Sequence, residues 1–264
     1  MTARLLHVSD IHAGTHEESE TGSTLARLVE RTEPQLVVAS GDLTHRGTRA
    51  QHERAAGLLR SLGPPVLTVP GNHDIPYAFP ARILRPWAEF ERLWERTEPV
   101  AKLPGLHVVG LNSVRPLRQQ GGALSPAQLN DAAARLAEAE ADALRVAVLH
   151  HHLVGAPWRA ARKRPVSHRN RVLRALVEAG ADVILAGHIH QSAVSERHEF
   201  EVVGEEARTA VVVVAPGLGR PRPRRLGEAR GLQMVEADES SIAVHTYVWS
   251  RGDWTLAAER VFPR

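Results

Sequence analysis

Short apolar runs that favour β-strands alternate with amphipathic helical patterns along the N-terminal part of the chain. The run RLLHVS is followed by a helical pattern with Leu25, Leu28 and Val29 on one face, and the runs LVVAS and PVLTVP flank a second helical pattern. Strand-like runs without long helices follow from Val194 onward. This order predicts an α/β fold with a mostly β C-terminal part. Because no Ser/Gly-rich linker divides the chain, we predict one domain over residues 1–264.

Polar side chains follow five of these apolar runs, where each predicted strand ends. The carboxyl ends of parallel strands meet at one edge of an α/β sheet, so residues scattered in the sequence converge there. The intervals of 32 residues from Asp10 to Asp42 and 30 from Asp42 to Asn72 match the length of a βαβ unit, about 30 residues. Carboxylate, imidazole and amide groups at one edge predict a metal cluster. The candidates are Asp10, His12, Asp42, Asn72, His73, Asp74, His150, His188 and His190.

Each block taken alone has a simpler explanation. Asp10 can cap the segment that follows it, and the sequence GNHD can form an ordinary turn, since Asn and Asp favour turns. The three histidines from His150 to His152 can be a packed strand end. The ordered set of five blocks at spacings that one fold can bring together favours the metal cluster.

Composition limits the ligands that such a cluster can use. The chain has no cysteine, so a metal must be held by His, Asp, Glu, Asn or water. The net charge is only +3, and Lys102 and Lys163 are the two lysines among 33 basic residues. No apolar stretch approaches the roughly 18 residues of a membrane span, and the N-terminus lacks the pattern of a signal peptide. We therefore expect a cytoplasmic protein without a membrane partner.

The blocks DIH, GD, GNHD, LHHH and GHIH together resemble the calcineurin-like metallophosphoesterase superfamily, and the match runs from Leu5 to His190. The stretches GGALSPAQLNDAAARL and RPRRLGEARGLQMVEAD further resemble the bacterial class III cyclic nucleotide phosphodiesterases. The resemblance implies a four-layer αββα sandwich of two mixed β-sheets flanked by helices. It also implies a centre of two metal ions at one edge of the sheets.

The resemblance assigns metal ligands at the matching positions. One ion would be held by Asp10, His12, Asp42 and His190. The other would be held by Asp42, Asn72, His150 and His188, with Asp42 bridging the two. A bridging carboxylate can hold two cations about 3.5–4 Å apart, and such a pair clamps phosphoryl oxygens during in-line displacement. Imidazole ligands favour manganese, iron, zinc or cobalt over magnesium, and we expect manganese or iron.

The block LHHH departs from the HHP that many relatives show. His150 is therefore the expected ligand and His151 the alternative. By resemblance, Asn72 and His73 also contact the substrate. His73 would stabilise the transition state or protonate the leaving oxygen, with Asp74 orienting its ring. The alternative is a turn histidine bonded to backbone.

Substrate choice must come from the loops. The loop after His152 carries Trp158 and Arg159 among further basic residues, a combination that can stack a base and hold phosphates. A solvated basic loop is the simpler interpretation. Trp87, Phe90 and Trp94 fall at helical spacing, which is typical of a core or of a homodimer face.

The expected function is hydrolysis of phosphodiester bonds in small phosphoester substrates, with cyclic nucleotides the favoured class. Three alternatives stay open on the same fold. They are a phosphomonoesterase, a nuclease acting on nucleic acid, which the sequence does not favour, and a non-catalytic binding scaffold.

Overall fold

The structure, a computed structural model, describes residues 2–15, 19–118, 120–154, 163–198, 209–219 and 230–264. Trp158 and Arg159 lie outside the described residues. Six helices and twelve strands occupy the described part. The helices are α1 Ser19–Thr32, α2 Arg49–Arg60, α3 Ala81–Leu84, α4 Ala88–Trp94, α5 Pro126–Ala137 and α6 Arg169–Glu178.

The strands form two sheets of six. They are β1 Ala3–Val8, β2 Leu36–Ala39, β3 Val66–Thr68, β4 Val100–Leu103, β5 Leu106–Gly110, β6 Leu144–Val148, β7 Val183–Ala186, β8 Ala193–His198, β9 Thr209–Val214, β10 Gly231–Ala237, β11 Ser241–Ser250 and β12 Asp253–Pro263. The first sheet has the order β12-β11-β10-β1-β2-β3, and the second has β4-β5-β6-β7-β9-β8. In each sheet a parallel set, β1-β2-β3 or β5-β6-β7-β9, is extended by antiparallel strands.

Three apolar clusters fill the spaces between four layers, which are two layers of helices and the two sheets between them. One cluster joins the first sheet to α1, α2 and α4, and includes Leu28, Leu59 and Phe90. A second fills the space between the sheets, where Val38 and Val146 are both fully buried. The third lies between the second sheet and helices α5 and α6. The predicted αββα sandwich of two mixed sheets is confirmed.

Local sequence signals fix where two of the helices that cover the sheets begin. Ser125 caps α5, accepting a hydrogen bond from the Gln128 N–H, while the Gln128 side chain accepts one from the Ser125 N–H. Thr48 caps α2 through its hydroxyl. Phe90 is buried and Trp94 packs on the same cluster, so these two rings belong to the core, whereas Trp87 is half-buried and lies outside that cluster. Among the described residues, no helix is both long enough and apolar enough to cross a membrane.

Candidate metal centre

Five residues at the carboxyl ends of the parallel strands have a left-handed backbone, which side chains other than glycine rarely adopt. They are Asp10, His12, Asp42, His188 and His190, with φ angles from 51° to 75°. Hydrogen bonds between strand ends hold this geometry. The Asp10 N–H donates to the Gly41 carbonyl (2.9 Å), and the His12 N–H donates to the Asp42 carbonyl (3.0 Å). Backbone strain held in place by its surroundings is concentrated at functional sites.

The first group of metal-ligating side chains consists of Asp10, His12 and His190, whose ligand atoms all lie within 4.8 Å of one another. His190 Nε2 is 3.0 Å from Asp10 Oδ1. His12 Nε2 is 3.2 Å from His190 Nε2. Asp10 is fully buried, and the two histidines are 5% and 6% exposed, so this group borders on solvent.

The second group consists of Asp42, His150 and His188, all of them fully buried. His150 Nε2 lies 3.4 Å from Asp42 Oδ1 and 3.2 Å from His188 Nδ1. The Asn72 amide oxygen is 3.3 Å from the same His150 nitrogen, so the structure brings Asn72 to this group as well.

Asp42 lies between the two groups. Its Oδ1 faces His150, and its Oδ2 is 3.8 Å from His12 Nε2, a member of the first group. A single carboxylate thus presents one oxygen to each group.

The buried polar atoms of both groups fit bound cations. Asp10 Oδ1 and Asp42 Oδ2 are buried without a hydrogen-bond partner among the described residues, a costly arrangement unless an ion satisfies them. In each group two imidazole nitrogens face each other at 3.2 Å. Their lone pairs repel unless a proton or a metal ion lies nearby. The oxygen and nitrogen donors suit manganese, iron, zinc or cobalt.

The protonation states of the Asp and His side chains in both groups also favour bound metal ions. Burial holds the pKa values of His12 and His188 well below the usual range, so both rings are neutral and able to bind a metal. Burial opposes ionisation of Asp10 and Asp42, but His190 and His150 respectively hold the carboxyl pKa values well below normal. Burial lowers the pKa of His150, but the nearby Asp42 carboxylate acts in the opposite direction, and the net result is a pKa raised to about 9. A cation bound at Asp42 would take the place of that proton.

His73 lies beside the aspartate-containing groups and is half-buried. Its backbone N–H donates to Asp42 Oδ1 (2.8 Å), and its ring centroid is 4.9 Å from that of His12. Ring atom Nδ1 is 2.8 Å from the His45 carbonyl. Because a carbonyl only accepts, Nδ1 carries a proton, and Nε2 is the nitrogen left to interact with a substrate.

The structure corrects the expectation for Asp74. Its carboxylate accepts hydrogen bonds from the N–H and hydroxyl of Thr44 (2.8 and 3.0 Å) and from the Gly71 N–H (2.8 Å). Asp74 therefore ties together the turns that carry Asp42 and His73, while the His45 carbonyl orients the His73 ring. Burial raises the pKa of Asp74. The physical reason is that a buried carboxylate needs several donors, which turn N–H groups supply.

His150, and not His151, points into the second group. His151 is turned toward Ser113, with its Nδ1 2.9 Å from the hydroxyl. The His152 ring stacks on His188 at 5.8 Å, and burial lowers the pKa of His152 to about 4. His152 is thus a neutral ring backing the centre.

Sequence reasoning did not single out two residues that contribute to the centre. The His45 ring stacks on that of His73 at 5.8 Å, and its carbonyl holds His73. The Ser9 hydroxyl donates to Asp10 Oδ2 (2.8 Å). Their only sequence signal is position, since Ser9 precedes Asp10 and His45 comes three residues after Asp42.

Residues 3–192 match the model of the calcineurin-like phosphoesterase family. The chain belongs to this family. A "probable cyclic nucleotide phosphodiesterase" of Synechococcus sp. (strain ATCC 27144 / PCC 6301 / SAUG 1402/1) is 27% identical over 223 residues, which are 75% of this chain and 77% of the relative. Membership makes this chain a metal-dependent phosphoesterase.

Solved structures share the fold of this phosphoesterase. A purple acid phosphatase from yellow lupin (Lupinus luteus) seeds matches all of the chain with a TM-score of 0.72 at 13% identity, and the match spans 54% of that protein. The structure of PhoD matches 99% of the chain and 70% of its own length, with a TM-score of 0.70 at 13% identity. At such identities the likeness shows the fold alone.

Proposed function

We propose that this phosphoesterase hydrolyses phosphodiester bonds of small substrates at a centre of two transition-metal ions, with cyclic nucleotides as the favoured class. The observation that carries this proposal is the position of Asp42, which turns one oxygen to His150 and the other to His12. A carboxylate shared by two sets of ligands is what a dinuclear centre requires.

The structure supports dividing the ligands between two ions, with one ligand common to both. Asp10, His12 and His190 would hold one ion, and Asn72, His150 and His188 the other, with Asp42 shared. When bound, such ions polarise phosphoryl oxygens and supply an activated water for in-line displacement. Manganese or iron is the proposed metal, since both accept mixed imidazole and carboxylate ligands.

His73 is the proposed catalytic side chain. Its N–H bond to Asp42 fixes its backbone, and its Nδ1 bond to the His45 carbonyl fixes its ring. In the imidazolium form His73 keeps the bond to His45 and donates its Nε2 proton to the leaving ester oxygen. Asn72, the preceding residue, is the proposed second contact to the substrate.

The phosphodiesterase assignment is supported by the Synechococcus relative, a probable cyclic nucleotide phosphodiesterase whose match covers 75% of this chain. The test is a screen of the manganese-loaded protein against bis-p-nitrophenyl phosphate, p-nitrophenyl phosphate, 2′,3′- and 3′,5′-cyclic nucleotides and single-stranded DNA. We expect a higher kcat/KM for the bis-p-nitrophenyl diester than for the monoester. A reversed order would make the chain a phosphomonoesterase, and no hydrolysis with any metal would make it a binding scaffold.

A further inference from the structure

Three connections on one side of the metal centre carry several arginines. They follow β2, β3 and β5 and comprise residues 40–48, 69–87 and 111–118, which we call the arginine rim. The arginines are Arg46, Arg82, Arg85, Arg115 and Arg118. Within these ranges the acidic residues are Asp42 and Asp74, both buried in the centre. The solvent-facing charge of the rim is therefore entirely positive.

The three connections form one continuous surface. Arg82 Nε donates to the Pro116 carbonyl (2.8 Å), and another nitrogen of the same guanidinium donates to the Pro76 carbonyl (3.3 Å). Thr44 joins the first connection to the second through Asp74. A Cβ on Gly47 would lie 2.4 Å from the Ile75 carbonyl oxygen, so the backbones of these connections touch.

The rim arginines form no ion pairs within the described part of the chain, although Glu98 is near enough to Arg115 to interact with it electrostatically. Among the described residues, no carboxylate lies within salt-bridge distance, 4.0 Å, of any of the five. Arg118 bonds to the Ser167 hydroxyl and Arg115 to the Gln128 amide oxygen, and both partners are uncharged. A positive surface beside a buried centre attracts anions.

Aromatic rings are exposed on the same surface. Tyr77 and Phe79 are 69% and 76% exposed, although Phe90, a few residues further along the chain, is fully buried. These rings lie between Asp74 and Arg82 in sequence, on the connection that also carries His73. Exposed rings interleaved with arginines combine stacking surfaces with phosphate contacts, which is how proteins bind single-stranded nucleic acid.

Three connections at the opposite edge of the sheets are acidic. Connections 138–143, 179–182 and 238–240 contain six acidic residues and neither Arg nor Lys. The acidic residues are Glu138, Glu140, Asp142, Asp182, Asp238 and Glu239. Basic side chains nearby offset part of this charge, since Lys102 Nζ lies 2.8 Å from Glu138 Oε2 and a nitrogen of Arg264 lies 4.0 Å from Asp182 Oδ2. The charge of the connections therefore favours approach of a polyanion at the edge that holds the metal centre.

We propose that the arginine rim binds a single-stranded oligonucleotide and presents one of its phosphodiesters to the metal centre. This inference rests on the proposed phosphodiesterase function and adds oligonucleotides to the cyclic nucleotides proposed there as substrates. A cyclic mononucleotide has one phosphate and one base, so it cannot engage several arginines and two separate rings at once. An oligonucleotide supplies a phosphate and a base at each step along the rim.

The first test is binding of a fluorescein-labelled oligo(dT) of about 12 nucleotides to the full chain in a chelator, measured by fluorescence anisotropy. Binding should weaken with salt by a slope near −0.7 per phosphate contact. The double variant Arg85→Glu/Arg118→Glu should bind at least about tenfold more weakly. The control Arg54→Glu/Arg260→Glu makes the same charge change at exposed positions outside the rim and should keep the affinity. If both double variants weaken binding equally, only net charge matters and the proposal is overturned.

The second test concerns the rings. Tyr77→Ala/Phe79→Ala should lower the affinity at least about fivefold, whereas Leu256→Ala/Val261→Ala, which removes exposed apolar side chains from β12, should not. An unchanged affinity in Tyr77→Ala/Phe79→Ala would contradict the assignment of single-stranded nucleic acid. Equal affinities of the wild type for duplex and single-stranded DNA would contradict it as well. Activity separates the two proposals: hydrolysis of bis-p-nitrophenyl phosphate without oligonucleotide binding overturns only this inference, and the converse overturns only the proposed function.

Discussion

The two edges of the sheets differ in the residue types that adopt a left-handed backbone. At the edge opposite the metal centre, the left-handed positions include the glycines Gly63, Gly105 and Gly180, together with Glu33. At the metal edge the left-handed positions include Asp10, Asp42 and His188. A side chain in this conformation costs roughly 1–2 kcal/mol per residue. At the metal edge these strained positions carry candidate ligand atoms, whereas Glu33 shows that the chain also accepts a left-handed side chain where no ligand is required.

Glycines at the two edges also differ in what surrounds them. A Cβ on Gly71 would lie 2.1 Å from the Asp42 backbone nitrogen, and one on Gly187 would lie 1.9 Å from the Ser9 hydroxyl. On Gly63 or Gly105 it would meet nothing within 4 Å. At the metal edge glycine therefore allows close approach of backbone to ligand, whereas at the other edge it supplies only a positive φ.

The largest expected effect is that of Asp42→Asn. Loss of the shared carboxylate should reduce bound metal to one ion or none and lower kcat/KM more than about 10³-fold, equivalent to more than about 4 kcal/mol of barrier. Elemental analysis and hydrolysis of bis-p-nitrophenyl phosphate measure this, with circular dichroism to confirm the fold. Asp142→Asn, the same change at the opposite edge, is the control and should alter neither quantity. Full metal content in Asp42→Asn would refute the bridging role.

His73→Ala should have the next largest effect, and it should spare the metals. A general acid typically contributes about 10²–10⁴-fold to rate, so kcat with a poor leaving group should fall by that factor while two ions stay bound. With p-nitrophenolate, which leaves without a proton, the loss should be smaller. An equal loss with both leaving groups would mean that His73 stabilises phosphoryl charge, and loss of an ion would make it a ligand.

The candidate ligands of the metal edge could be predicted from the sequence because metal-binding residue types are conspicuous at the ends of apolar runs. Aspartate or histidine directly after a buried apolar run, as at Asp10 and His188, is unusual enough to locate strand ends and candidate ligands. The role of Asp74 could not be predicted in this way, because its partners Thr44 and Gly71 are turn groups that only the folded chain brings together.

Gly105→Ala should change stability and leave activity intact. Because a Cβ there meets nothing, the cost is the left-handed φ of +70° alone, and the free energy of unfolding should fall by roughly 1–2 kcal/mol. Urea unfolding measures this, with kcat/KM unchanged. In the matched variant Gly187→Ala, a clash with Ser9 and Asp10 should instead weaken metal binding. If Gly105→Ala lowers activity as much as Gly187→Ala does, the two edges are not independent.

The smallest expected effect concerns Asp238 at the acidic edge. Its Oδ1 accepts bonds from the N–H groups of Ser240 and Ser241, both at 2.8 Å, and these bonds lower its pKa from 3.8 to about 2. The folded pKa lies below the unfolded one, so the stabilisation is present above 3.8 and is lost as pH falls through about 2.

Asp238→Asn keeps an acceptor oxygen but removes the charge that titrates. We expect Tm to fall by at most about 2 °C near neutral pH, and the difference from the wild type should narrow as pH drops below the unfolded value of 3.8. Thermal unfolding followed by circular dichroism across this range measures the difference. A difference that stays constant with pH would show that the amide disturbs the turn by its shape, and that the charge of Asp238 contributes nothing to the acidic edge. A difference that closes would show that the turn at this edge is held by an ionised carboxylate on unstrained backbone, in contrast to the strained carboxylates of the metal edge.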